Sequence, residues 1–524
     1  MFLMSCNHLN ISRSCSLRGF VLVLHMECQV CHIVSSWCSS TNHHNQRPIP
    51  RPLINCTSNN NIVVNVFNNL DEPLLFTWND IQQRKNSWME GTLGTNCPIQ
   101  PGTNFTFHFQ VKDQIGSFYY YPTTALHRAA SGYGPLTIHS RDLIPILFPM
   151  PEAEYNVLVG DWYKKSHMEL KKLLDGGRTI AKPDGVIING KNGKGDGKDE
   201  PMFTMIPGKT YRYRFCNVGM KNSINVRIQG HGMKLVEIEG SHTVQNVYDS
   251  IDVHLGQCYS VLVIADQTPK DYYLVASTRF PKTILTSTAT IRCVGNNNHA
   301  SPASAARPNP QGSYHYGKIN ITRTIKLVNS AGTGDDKLRY AINGISHVNP
   351  ETPLKLAEYF GVSDKVFKYD TIQDEPAVNV GDELTIAPIV LNATFRNFVE
   401  IIFENHEKSV QPWHLYDYSF FPVVIEPGRW TPEKRNNYNL IDVVSRHTIQ
   451  VYPKSWAAIM TTLDNAGMWN LRSLVLERQY LGQQLYISVL SPERSLRDEY
   501  NIPDGQLLCG IVEGMPAPKP YSGA

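Results

Sequence analysis

The chain has 524 residues and a formal charge of +3, with 41% hydrophobic and 18% charged residues. That length exceeds a single hydrophobic core, so two or three domains are expected, and 33 Pro with 36 Gly favour many turns over long helices. The weak charge and the lack of a dense Lys/Arg stripe exclude nucleic acid as a partner. No window reaches the roughly 18 consecutive apolar residues of a membrane span.

In chain order, residues 1–46 mix Cys, His and Ser without periodicity and are expected to be an atypical, unstructured segment outside the fold. Within it, residues 19–26 (GFVLVLHM) make a poorly formed signal-peptide core, short and followed at once by Glu27. Cys28 and Cys31 form one C-x-x-C, but no second pair stands at zinc-site spacing. From residue 61 short β-type runs take over: 61–67 (NIVVNVF) and 104–111 (NFTFHFQV), closed by turn formers. A second block opens at 154–163, carries one modest helix at 166–174 stopped by Gly176 and Gly177, and continues with 209–218, 223–228, 233–240 and 258–266. Residues 295–312 read as an exposed linker. A third block holds 322–329, 396–405, 447–453 and 484–490. Many short strands and almost no helix predict an all-β chain of three tandem β-sandwich domains at 47–145, 150–300 and 313–510, with a flexible tail at 511–524.

Five N-glycosylation triplets, at Asn10, Asn55, Asn104, Asn320 and Asn392, fit a secreted glycoprotein better than a cytosolic one. The strict alternation of 209–218 puts Arg212 and Arg214 on one face, expected to be a solvated strand edge rather than an anionic-polysaccharide site. Cys216 and Cys258 are expected to be buried apolar residues rather than a bridge, and Cys56 and Cys293 have no assignable partner. His231, in a hairpin-like QGHGM, is expected to be structural.

Particular residues then identify a family. Trp78, Ile81, Gln82, Trp88, Gly91, Cys97-Pro98-Ile99, GDWY (160–163), PDGVIING (183–190), QPWHL (411–415) and DNAGMW (464–469) resemble the frame of plant multicopper oxidases such as ascorbate oxidases, over about residues 50–510. TWNDIQQRKNSW, QPWHLYDYSFF and WNLRSLVLERQYLGQQLYISV resemble most the SKU-similar, monocopper-oxidase-like subfamily, pollen-specific ascorbate oxidase homologues included. The resemblance implies that each domain is a cupredoxin, a Greek-key plastocyanin-like sandwich, the first truncated at its N-terminus. It also implies a disulfide between Cys97 and Cys509. The chain ends without the hydrophobic tail of a glycolipid anchor, so none is expected.

Oxidases of this family hold a blue copper through Cys and His and a trinuclear cluster through H-x-H pairs, because imidazole and thiolate keep copper bound through its redox cycle. Carried over residue by residue, the first pair falls on Thr77 and Asn79 and the second on Tyr121 and Thr123. In the third domain an outer His falls on Gln411, the third pair on His414 and Tyr416, the H-C-H triplet on Leu471, Arg472 and Ser473, and a last His near Glu477. Only His414 keeps a ligand-type side chain, and no histidine in the chain is separated from another by one residue. No cofactor is therefore expected, and His414 alone is expected to bind no metal. The aromatic runs 118–121 and 416–421 are expected to pack the emptied cavity rather than form a carbohydrate-stacking surface. The missing ligands and the five glycosylation triplets lead to the expectation of a secreted, non-catalytic protein, and the resemblance implies a role in the cell wall or apoplast, in cell expansion or pollen-tube growth, with wall polysaccharide or protein as the partner class. The alternative is a residual copper-dependent, ascorbate-oxidase-like oxidoreductase.

Overall fold

The computed structural model describes residues 2–16, 19–32, 52–141, 144–293, 316–376 and 383–523, the first two stretches as backbone alone. The expected linker at 295–312 lies outside them. Each domain is a sandwich of two sheets. In the first, the strands Ile54–Thr57, Phe76–Asn79, Gly116–Pro122 and Gly134–His139 form one sheet, and Asn61–Asn68 and Asn104–Gln110 belong to the other. The second and third domains each pair a seven-stranded sheet with a five-stranded one.

The opening residues depart from expectation. Phe2–Ser16 and Gly19–His32 pair as an antiparallel hairpin, and the second of these strands runs parallel beside Asn61–Asn68. Sheet pairing uses backbone N–H and C=O groups, which any extended segment supplies at an open edge, so composition gave no sign of it. The first domain consequently has two four-stranded sheets rather than a truncated set.

Where alternation is clean, one sheet face is wet: Asn61–Asn68 alternates half-buried and buried along its whole length. Gly116–Pro122, Gln411–Leu415 and Gly467–Ser473 are buried at every position. Their second faces are covered by neighbouring domains. Phe118 and Tyr120 enter the first core while Tyr119 and Tyr121 pack on Leu158, Cys216, Val218 and Cys258 of the second domain. Gly116 makes the approach possible, because a Cβ there would lie 2.7 Å from Gly240 Cα.

The same layering corrects the expectation for Arg212 and Arg214. Both are buried, Arg214 at 1% exposure. Arg212 Nη2 reaches Glu237 Oε2 at 2.6 Å, and Arg214 donates to Glu154 Oε2 and, across the domain boundary, to Ser117 Oγ at 2.8 Å each. Alternation separates two faces of a strand but does not say what covers the polar one.

Cys216 and Cys258 are also corrected. They sit opposite one another on paired strands and are bonded, with Cα atoms 4.2 Å apart. A second disulfide joins Cys97 to Cys509, and Cys56 and Cys293 are buried free thiols. The segment expected to be a flexible tail is docked: Val512 is wholly buried in the first-domain core, and Tyr521 N–H donates to Asn501 Oδ1. The helix His167–Asp175 starts on Ser166, which forms a capping box with Glu169, as the pattern at 166–174 predicts.

Candidate functional site

The positions matched to copper ligands converge where the first and third domains meet. Register sets Thr77 opposite Tyr121 on one side and His414 opposite Arg472 on the other. The Tyr121 and Tyr416 hydroxyls touch at 2.5 Å across the boundary. Arg472 lies with its guanidinium carbon 5.4 Å from the Tyr121 ring centre and 5.0 Å from that of Tyr416. Arg128 stands over Tyr121 at 4.7 Å, and Tyr119 stacks on Tyr121 at 5.4 Å. The result is a closed column of alternating guanidinium and aromatic groups, held by cation–π attraction.

His414 is fully buried. Its Nδ1 is 3.1 Å from the His447 carbonyl and 3.3 Å from Asp80 Oδ1, and its ring meets Tyr416 edge-on at 4.5 Å. Burial, reinforced by His447, pushes it down to about 3, so the imidazole is neutral. With the proton on Nδ1, its Nε2 lone pair has no partner among the described residues. Burial pushes Asp80 and Glu90 well above the usual carboxylate range. It pushes Arg472 down to about 10, which leaves a cation at neutral pH.

The other matched positions serve the scaffold. Thr123 Oγ donates to the Gly91 carbonyl at 2.8 Å. Asn79 is fully buried, Leu471 packs in the third-domain core, and Ser473 Oγ accepts from Val475 N–H at 3.3 Å. Gln411, its amide oxygen turned to the guanidinium, accepts from Arg478 Nη1 at 3.1 Å. Glu477 accepts from Ile180 N–H at 2.9 Å and pairs with Lys221 at 2.8 Å, tying the third domain to the second.

This donor set does not suit copper. It offers one imidazole among hydroxyls, amides and a cation, and among the described residues no three His, Cys, Asp or Glu ligand atoms gather around His414. A divalent ion about 5 Å from Arg472 would meet about 7 kcal/mol of repulsion at an effective dielectric of about 20. Arg128 and Glu90 lie in no run that the sequence singled out, and Asp80, within TWNDIQQRKNSW, was not picked out for a role. His231 is buried, bonded through Nδ1 to the Gln229 carbonyl at 2.8 Å and set edge-on to Tyr272.

Three successive sandwiches and a site at the boundary of the first and last define the class. Profiles of the multicopper oxidase family match residues 39–143, 153–297 and 351–495, and the chain belongs to that family. It is 65% identical over 500 residues to an L-ascorbate oxidase homolog of Brassica napus, covering 91% of this chain and 90% of the relative. It is 43% identical to the monocopper oxidase-like protein SKS1 of Arabidopsis thaliana, covering 91% and 86%. The crystal structure of Fet3p, a multicopper oxidase that functions in iron import, superposes with a TM-score of 0.70 at 17% identity, covering 93% of this chain and 90% of that one. No helix among the described residues is long and apolar enough to cross a membrane.

Proposed function

We propose that this chain is a secreted, glycosylated member of the family that does not reduce oxygen, and that it acts in the cell wall or apoplast in cell expansion or pollen-tube growth. The observation that carries the non-catalytic reading is the Arg472 guanidinium seated between Tyr121 and Tyr416. Asn55, Asn104, Asn320 and Asn392 are all exposed, as glycan acceptors have to be. The wall role follows from the subfamily resemblance, with wall polysaccharide or a wall protein as partner. Tyr119, Tyr121, Tyr416 and Tyr418 are buried and offer no stacking surface to a sugar, so a glycan partner would bind elsewhere.

A second reading, a residual copper-dependent oxidoreductase, is favoured by the unpartnered Nε2 of His414. One assay separates the two. Purified protein supplied with copper should consume no oxygen with ascorbate or a phenol, and should show no blue Cys–copper absorption band. Oxygen uptake that disappears in the His414→Gln variant would establish the second reading instead.

A further inference from the structure

We propose that Glu72, His127 and His167 form a divalent-metal site, with Zn2+ as its natural occupant, joining the first domain to the second. Their ligand atoms all lie within 4.8 Å of one another, and the cluster is separate from the positions matched to copper. His127 Nε2 is 2.7 Å and His167 Nε2 2.9 Å from the same oxygen, Glu72 Oε2. Side-chain exposure is 1% for His127, 11% for His167 and 19% for Glu72. The set is thus walled in by protein on the imidazole side and open on the carboxylate side.

Each ligand is placed by backbone structure. Glu72 sits in the turn after the strand Asn61–Asn68, His127 opens the short helical turn His127–Ala130, and His167 is the first residue of the helix His167–Asp175. The imidazoles face each other with ring centres 5.0 Å apart. Two neutral nitrogens and one carboxylate oxygen, with a fourth position left to water, are a donor set that Zn2+ accepts.

A plain hydrogen-bonded triad explains the distances too, with both Nε2–H groups donating to Glu72. The convergence of both imidazoles on one carboxylate oxygen favours a cation. Ligands about 2.0–2.2 Å from a tetrahedral Zn2+ stand about 3.4 Å apart, which small side-chain rotations reach from the observed spacing. The Thr124 hydroxyl serves the bound tautomer. It lies 3.2 Å from His127 Nδ1 and accepts from Leu75 N–H at 3.2 Å, leaving a second lone pair for Nδ1–H. Binding places the N–H of each ring on Nδ1, where that of His127 meets Thr124 and that of His167 has no partner among the described residues.

The test is calorimetric titration of EDTA-treated full-length protein with Zn2+ alone. One ion per chain should bind with a Kd of about 1 μM or tighter, weakened at least about tenfold by His127→Gln or His167→Gln and left unchanged by His414→Gln. Zn2+ should raise the Tm of the wild type and leave that of His167→Gln where it was. Absence of saturable binding to the wild type, or binding untouched by both cluster substitutions, overturns the site. Should either variant fail to fold, zinc-edge absorption of the wild type decides: two imidazole nitrogens and a carboxylate oxygen are expected, and a shell of water alone refutes the assignment.

Discussion

Arg472 has two nitrogens, Nε and Nη2, without a hydrogen-bond partner among the described residues, in a place with no ion pair for it. Cation–π contact offsets about 2 kcal/mol of desolvation and an unpaired buried cation costs more, so the larger effect is unfavourable. Arg472→Met, similar in volume, should stabilise the protein by about 1 kcal/mol in urea unfolding; a loss of more than about 2 kcal/mol would mean the guanidinium holds the boundary together. His347 gives a second prediction. Its Nδ1 accepts from Ile389 N–H at 3.0 Å and its Nε2 faces Asn349 Oδ1 at 3.1 Å, so a second proton would break the first bond. Burial pushes it down from 6.5 to about 4. The folded pKa is depressed, so on acidification the unfolded chain takes the proton first. The contribution is intact above pH 6.5 and drains away toward pH 4, by up to about 1.4 kcal/mol per pH unit. Unfolding of wild type and His347→Gln at pH 7 and pH 5 checks this, and an unchanged difference between the two pH values in the variant refutes it. Single residues were legible in the sequence where a motif framed them, as with His414 within QPWHL. Arg214 and Cys216 were misjudged because their surroundings come from another domain and from a strand register that one sequence does not display.

At the scale of elements, local signals were the reliable ones. The helix at 167–175 was visible because its pattern and closing glycines are written within a dozen residues; its capping box emerges from the structure, and Ser166→Ala should cost about 1 kcal/mol by removing that cap. Since His167 is the first residue of the helix, fraying there should also loosen its contact with Glu72; a loss below about 0.5 kcal/mol argues that the helix start is held by packing alone. Strands such as Asn61–Asn68 were legible through their period of two. The strands buried on both faces told less, since their apolar runs do not say which neighbour lies on each side. The docking of residues 511–523 was missed because they are polar and Pro-rich, yet Val512 is wholly buried and Tyr521 N–H donates to Asn501 Oδ1, next to the Cys97–Cys509 bridge that the resemblance implied. The bridge spans 412 residues, so breaking it with Cys509→Ser should cost up to about 6 kcal/mol through the entropy of the unfolded chain. Equal unfolding midpoints for the variant and the oxidised wild type would show that packing of Val512 alone docks the segment.

At the scale of the whole molecule, the three sandwiches are joined by buried carboxylates as well as by shared apolar clusters, such as Leu126 with Leu170, Met220 and Leu476. Glu239 of the second domain accepts from His447 N–H at 2.6 Å and Thr448 N–H at 3.1 Å and pairs with Arg446 at 3.3 Å, all in the third. Glu477 returns the link from the third domain to Ile180 and Lys221 of the second. Charge-assisted bonds of this kind each contribute about 1.5–3 kcal/mol, and leaving their N–H partners unpaired costs as much again. Their energy appears only when both domains are folded, so it acts as coupling between otherwise independent cores. The wild type should therefore unfold in a single calorimetric transition. Glu239→Ala combined with Glu477→Ala removes both links while leaving each sandwich core and both disulfides intact, and the second domain should then melt separately from the other two. The Cys97–Cys509 bridge would still hold the first and third domains together, so two transitions are expected rather than three. A single transition shifted to lower temperature would assign the coupling to the apolar boundary of Tyr119 and Tyr121 with Cys216 and Val218 instead.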